Sequence, residues 1–581
     1  MPAERQLITQ FYIKVAGADL QPHQMDDLFE VEVDQGFHMP AAATLKFYDQ
    51  EMTWLDSGPL KLGVAVEIGA KDASGTRASL FKGVLTNLEP EFVSGGPYAM
   101  FVARCYDKSF RMHRGTKSAV YVQMTDSDIV RQIAGEAGLS VTVDATTVVH
   151  KHLIRHDQSD FEFVSALARR NGYLLHCDDD KLLFQKASQI QGDEITCEYG
   201  EDLTEFRPRF ALGGQVNEVQ VQGWDLVAKR EVVGVASRPG FESVTGTQLV
   251  RGSAEATKAF GNQTIHVTAT PDNQSFAEGL ADSVLNRMAA NDVTAEGRVL
   301  GNVNLKPGCK LTVTHVAKFS GSYFVTRVRH HFGQSEPYTT DVWLGGLESG
   351  TMASLLRDDP RKPGDQTSTQ ARLIRGIVTD NDDEEGYGRV KVKLPTLGDD
   401  IQTFWAPLVS AGAGDQRGFQ VMPEINDEVL VGFIDGNISE PVVLGGLWNG
   451  QDRPPNAAAV GSDGAVDIRE FKTRAGHILR FTDKSGDEKI ELIDKTGSNL
   501  LRIDSAQNII SIKSGKDIIL DAVGNIELKA VNIKLTGSAK VEVGAPVVEA
   551  SGDSQVTLKG AMANVQGSAM TKISGGMVQI N

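Results

Sequence analysis

Several scarcities bound this protein before any motif is read. It has four cysteines, Cys105, Cys177, Cys197 and Cys309, far apart and with no CxxC pair. That spacing argues against a disulfide framework or a tetrahedral zinc site and predicts reduced thiols in a core. Aromatic residues make up only 7%, while glycine reaches 59 residues, a balance that leans towards β-rich structure with many turns. The 58 basic residues are outnumbered by 76 acidic ones, and the net charge of -18 argues against a nucleic-acid or anionic-membrane binder. No apolar run approaches the roughly 18 residues of a membrane span. The opening Met1-Pro2-Ala3-Glu4-Arg5 has no basic segment followed by an apolar one, so no secretory leader is expected and synthesis in the cytoplasm is. There is no GxSxG, HExxH or P-loop. No catalytic residue, no cofactor-binding residue and no metal ligand is therefore assigned.

What is present divides into three regions: 1–360, 361–456 and 457–581. The first mixes strands, such as Phe11 to Val15 and Leu45 to Tyr48, with three expected helices. Each helix is announced by Ser or Thr followed three residues later by an acidic residue: Thr125/Asp128, Ser159/Glu162 and Ser275/Glu278. A polar, Pro-containing stretch from Arg357 to Gly364, continued by Gln366 to Gln370, reads as a linker. The second region has short strands at Ile374 to Thr379, Arg389 to Leu394, Glu428 to Ile434 and Pro441 to Gly445, which suits a small OB-like barrel. Pro454-Pro455 belongs to the breaker cluster that closes it.

The third region carries pairs of the form apolar-x-apolar about eight residues apart: Ile510/Ile512, Ile518/Leu520, Ile526/Leu528, Ile533/Leu535 and Val541/Val543. Glycines and polar residues fall between them. Such a period means one strand and one turn per unit, with the paired positions facing in and x facing out. One unit cannot bury its own apolar side, so units must stack. Either a single-chain β-solenoid or three chains wound into a prism would do this. Two inward side chains per unit are thin for a solenoid and adequate where three chains share an axis. At about 4.8 Å per unit, about fourteen units would make a rod on the order of 65 Å long.

Three clusters invite a chemical reading. His150, His152 and His156 have an HxHxxxH spacing, in which the first two share a strand face and would suit a metal, but a polar strand leading into the helix at Ser159 explains them more simply. His330 and His331 point to opposite faces of a strand. The run Asp380 to Gly386 fails the EF-hand pattern, because Glu385 stands where Gly is needed and Lys391 where Glu is needed, and is read as a solvated hairpin tip.

Laid end to end, the three regions resemble the VgrG family, the fused counterpart of the phage tail hub and cell-puncturing spike. In the first region the resemblance is carried by Cys105-Tyr106-Asp107-Lys108, Met124 to Ile129, Ser159 to Val164 and Gly223-Trp224-Asp225. In the second it is carried by Gly376 to Asn381, Gly388 to Val392, Trp405-Ala406-Pro407, Asn426 to Phe433 and Pro441 to Gly445. The ending, Gly575, Gly576, Met577, Val578, Gln579, Ile580 and Asn581, resembles the family's blunt needle tip. No further effector domain is expected after it, and the opening from Phe11 to Ile68 looks closer to spikes of extracellular, phage-tail-like injection particles than to type VI secretion.

The resemblance implies a mainly β fold with some α: tail-hub-like duplicated barrels with helical insertions, an OB-fold barrel of the baseplate V type, and a triple-stranded β-helix needle. It also implies a homotrimeric, non-catalytic spike that links inner tube and baseplate to a tip protein. Expected partners are a PAAR-repeat tip protein, an Hcp-like inner tube, baseplate proteins and the target cell envelope, with no nucleic acid. The spike would be assembled into an injection particle and released or delivered into a target cell. A murein hydrolase is the rival from another class.

Overall fold

The strand Leu28–Gly36 shows how the first region is built: its side chains alternate between the core and the outer face, with Val31 and Val33 fully enclosed. The computed structural model describes residues 8–72, 77–92, 99–269, 271, 273–334, 336–348 and 373–580; the extreme N-terminus, the linker at 357–370 and Asn581 lie outside the described residues. The chain forms two units that meet between Arg453 and Pro454.

In the first unit one antiparallel path runs through most of the hub. It starts at Ile8–Val15 and passes through Ala65–Asp72, Arg77–Glu91, Met100–Tyr106 and Ala42–Tyr48 to Leu28–Gly36. From there it crosses to Gly321–Gly333, Glu336–Leu344, Val293–Leu300 and Leu203–Phe210. Two cores lie along it. One gathers Leu45, Phe47, Ile68 and Phe101, the other Leu203, Leu311, Tyr323 and Val342. At the crossing, the Arg327 guanidinium grips the Asp34 carboxylate through two hydrogen bonds of 2.8 and 2.5 Å.

Each core carries an α/β insertion. The first holds the antiparallel strand pair Lys117–Thr125/Val149–Gln158 with helices Asp126–Glu136 and Asp160–Asn171. The second holds strands Glu218–Asp225, Arg230–Ala236 and Thr264–Thr268 with helices Gly252–Phe260 and Gln274–Ala290. The two insertions touch where the Ser283 hydroxyl donates to the Arg169 carbonyl at 2.6 Å. Gly172, which ends the helix beside it, has φ 67° and packs tightly: an added Cβ would lie 3.3 Å from Ser283 Cα.

Two of the three expected caps hold. Thr125 accepts from the Asp128 amide, and Ser159 and Glu162 form a complete capping box. The third is corrected. Asn273, not Ser275, caps the long helix by accepting from the Phe276 amide at 2.9 Å, and Ser275 lies inside the first turn. Asn is as good an N-cap as Ser, so composition could not separate them. The helix Gly252–Phe260 was not anticipated; its N-cap residue, Arg251, has no capping side-chain bond.

The barrel after the linker is a five-stranded antiparallel sheet of Ile374–Asp380, Arg389–Lys393, Ala406–Pro407, Glu428–Phe433 and Pro441–Gly446. Its core of Val378, Val390, Val392, Val429, Val431 and Val443 also takes in Ile154 from the strand pair of the hub's first insertion. The Ile154 amide donates to the Ser439 hydroxyl at 3.0 Å, which fixes barrel to hub within this unit.

The second unit contains a five-stranded antiparallel meander: Ile468–Lys472, Ile478–Thr482, Lys489–Ile493, Leu500–Asp504 and Ile509–Lys513. Beyond Lys513 the chain forms no helix and no paired strand up to Ile580. It runs as extended segments broken by bends at 515–516, 523–524, 531, 538–539, 546, 553–554, 561, 568–569 and 576.

Candidate functional site

The second unit holds the residues on which function was expected to rest. The meander has two unlike faces. On one, a cross-strand row reads Glu470, Arg480, Glu491, Arg502, with Arg480 Nε donating to Glu470 at 2.6 Å and Arg502 Nη2 donating to Glu491 at 2.7 Å. The opposite face is apolar. It presents Phe471, Leu479 and Phe481, then Ile490, Leu492, Leu501 and Ile503, and finally Ile510 and Ile512, all exposed in the single chain.

The predicted needle-core residues continue this pattern. Ile510 and Ile512 sit on the last meander strand and pair within the chain, with Leu501 and Ile503 opposite. Ile518, Leu520, Ile526, Leu528, Ile533, Leu535, Val541 and Val543 lie on the extended segments, one pair between successive bends. The ten predicted core side chains are 53–71% exposed. Among the described residues, no backbone–backbone hydrogen bond joins any two residues of 514–580. A single-chain solenoid would pair each segment with the next, and the described residues show no such pairing.

The bends also reveal more of the repeat than the pairs first read. Val548, Val556/Leu558, Val565, Ile573 and Val578/Ile580 keep the same spacing to the end. Smaller residues at Ala550, Ala563 and Thr571 had hidden it. The meander was missed for a different reason: its pairs, Leu479/Phe481, Ile490/Leu492 and Leu501/Ile503, are separated by longer turns than the eight-residue period allows. Of the expected tip residues, Gly575, Gly576, Met577, Val578, Gln579 and Ile580 are all exposed, and Asn581 lies outside the described residues.

The clusters with possible chemistry are all engaged structurally. His150 Nε2 lies 2.9 Å from the Asp126 carboxylate, which also accepts from Arg170 Nε at 2.9 Å and Asn171 Nδ2 at 2.6 Å. The Arg170 guanidinium and the hydrogen bonds from its neighbours hold Asp126 well below the usual carboxylate range in spite of its burial. His152 packs near Phe404, and His156 Nδ1 meets the Ser118 hydroxyl at 3.1 Å, so the three histidines do not converge. His330 is buried against the Leu305 carbonyl and the Thr340 and Tyr338 hydroxyls, while His331 faces Glu30 and Glu336 on the other side. Glu30, Glu32 and His331 bring ligand atoms within 4.8 Å of one another. Lys46 Nζ, 2.6 Å from Glu30, and Arg329, 3.7 Å from Glu32, already engage those carboxylates.

The acidic run is a hairpin tip between paired strands, with Asp382, Glu384 and Glu385 exposed, and Asp383 is the exception. Asp383 is not solvated: it is buried beneath Arg389 and accepts from the Glu385, Tyr387 and Arg389 amides as well as from Arg389 Nε at 2.9 Å and Nη2 at 2.7 Å. These bonds hold its pKa down to about 2. Asp107, in the expected hub signature, is likewise a keystone: it accepts from the Ala41 amide at 2.6 Å and the Ser109 amide at 2.8 Å. Burial nonetheless pushes its carboxyl up to about 6. All four cysteines are free and buried, and desolvation pushes Cys105 and Cys197 up to about 12, far from reactive thiolates.

A two-cored β hub with α/β insertions, an OB-fold barrel and a strand-rich tail define a protein of the phage-tail hub-and-spike class. Residues 5–334 match the Alg8 N-terminal domain, and residues 374–448 match the type VI secretion system/phage-baseplate injector OB domain. The chain is 27% identical over 205 residues to the type VI secretion system spike protein VgrG2a of Pseudomonas aeruginosa, covering 32% of this chain and 24% of that protein. It is 24% identical over 413 residues to the actin cross-linking toxin VgrG1 of Vibrio cholerae, covering 64% of this chain and 36% of that one. A chain of the Francisella PdpA–VgrG complex shares the fold with a TM-score of 0.51 at 10% identity, covering 87% of this chain and 81% of that chain. The chain belongs to the Alg8 N-terminal domain family, whose model covers more than half of it, and it is similar to VgrG spike proteins in its hub and OB domain. It spans about a sixth to two-fifths of the length of the curated relatives it matches.

Proposed function

We propose that the chain is the central spike of a contractile injection system and works as a homotrimer. The observation that carries this is the backbone of 514–580: extended, bent every seven or eight residues, without a partner strand among the described residues, and with apolar positions exposed in regular pairs. A chain that leaves such a length of N–H and C=O groups to water while exposing its apolar residues gains both kinds of partner when identical strands wind around it. In this reading residues 457–581 form a triple-stranded β-helix needle, the OB domain of 361–456 a collar, and three copies of the duplicated hub of 1–360 a ring that meets an Hcp-like inner tube and baseplate proteins. Light scattering on the purified chain tests the trimer; a mass near three times 62.8 kDa is expected, and a clean monomer rejects it.

Sheath contraction supplies the energy, so the spike needs stiffness and no catalytic residue. A chain that releases soluble fragments from purified peptidoglycan would support the murein-hydrolase reading instead. Met577, Val578 and Ile580 give the tip an apolar end suited to a PAAR-repeat partner. Deleting about the last ten residues is expected to abolish binding of that protein. An extracellular particle is the preferred machine, with delivery into a target cell through its envelope. The likeness to the Pseudomonas type VI spike favours a type VI machine as the second reading. Neighbouring genes for sheath and tube, with or without a type VI membrane complex, separate the two.

A further inference from the structure

The second unit changes its manner of pairing at Lys513. Before that point every strand finds its neighbour within the chain, and after it none does. We infer that the meander of residues 468–513 is the register-setting nucleus of the needle: the apolar faces of three copies dock first, and the segments 514–580 then close from Lys513 towards the tip. The inference rests on the trimer reading above.

The repeat is poor at choosing its own alignment. Its inward positions are nearly all Ile, Leu or Val and its units alternate between eight and seven residues, so sliding one chain by two units, fifteen residues, puts apolar on apolar again. Register is weakly specified wherever the pattern survives such a slip. Three long strands with no internal contacts must also meet before any of them is rewarded, which makes their pairing slow.

The meander has the opposite properties. Its strands are joined by short turns, so each registers on the next by closing a short loop. The turn Asp494 to Asn499 is cinched by the Asp494 carboxylate, which accepts from the Thr496 hydroxyl at 2.8 Å and the Asn499 amide at 3.1 Å. The Glu–Arg row ties the strands across the other face, beside a cross-strand row of Ile478, Ile493 and Leu500. What emerges is a preformed sheet with one mainly apolar face, which ends on Ile510 and Ile512 and is continued in the sequence by the first free pair, Ile518 and Leu520. Two further copies of the same face are the occupant that this continuity favours. The meander is less uniform than the repeat: its strands start at 468, 478, 489, 500 and 509, and its two phenylalanines, Phe471 and Phe481, lie only on the first two strands. Three such faces have a single good alignment, and it is passed on to the repeat.

The test is pulsed hydrogen exchange, read peptide by peptide, while the full chain refolds from denaturant. Residues 468–513 are expected to gain protection before 514–580, and the repeat to close from its 514 end. The double substitution Leu492→Asp with Leu501→Asp should lose protection throughout 514–580. Ile533→Asp with Leu535→Asp should lose it only from about residue 530 onwards. A repeat that is protected first, or that stays protected in the Leu492→Asp/Leu501→Asp variant while the mass remains trimeric, overturns the inference and leaves the trimer standing. A monomeric wild-type chain overturns both. The wild-type order of closure requires no variant to fold.

Discussion

Asp383 and Arg389 form the most heavily bonded ion pair in the barrel, and both are nearly enclosed. Removing one member of such a pair leaves the other's charge uncompensated, so Asp383→Ala should destabilise the barrel by roughly 3 kcal/mol, read as a lower midpoint in denaturant. Because its folded pKa is depressed, this carboxylate's contribution is complete above its ordinary value of 3.8 and is lost as pH falls towards about 2. Asp107 behaves in the reverse sense. With a folded value near 6 against 3.8, it favours the folded state most at low pH, and that contribution disappears as pH rises through about 6. Asp107→Asn should flatten this slope. It should also weaken the hub by about 1–3 kcal/mol at every pH, since one amide oxygen cannot serve both Ala41 and Ser109. Stability measured from pH 4 to 7 checks both effects.

At the scale of elements, capping supplies a direct comparison. Ser159→Ala and Asn273→Ala should each cost about 1 kcal/mol, whereas Ser275→Ala should stay within about 0.5 kcal/mol, as read by urea unfolding. The difference marks how far local pattern carries. Thr125 and Ser159 were readable because the acidic partner three residues on sat in the right turn; in the long helix, Asn273 and Ser275 both offered a side-chain oxygen to a nearby amide. The barrel was readable because its strands alternate and its turns are marked by Gly and Pro. The octad pairs were readable because nothing but period produces them. The meander was not, since its unequal turns break the period, and neither was the burial of Asp383, which depends on where Arg389 folds back. The joining of hub and barrel through Ile154 and Ser439 links positions 285 residues apart, a separation at which no local signal exists.

The whole molecule inherits that last contact. Ile154 lies within the barrel's own core, so Ile154→Ala should cost about 2–5 kcal/mol and separate barrel unfolding from hub unfolding in calorimetry, where the native chain couples them. The second unit has a consequence of another kind. Strands that turn every seven or eight residues without pairing in their own chain would, once three are wound together, be entangled as well as bound. One chain leaves such a braid only by unwinding every turn, so its survival is a matter of rate and not of affinity. Diluting the assembled needle far below the concentration at which it formed should leave its mass unchanged for as long as it is watched.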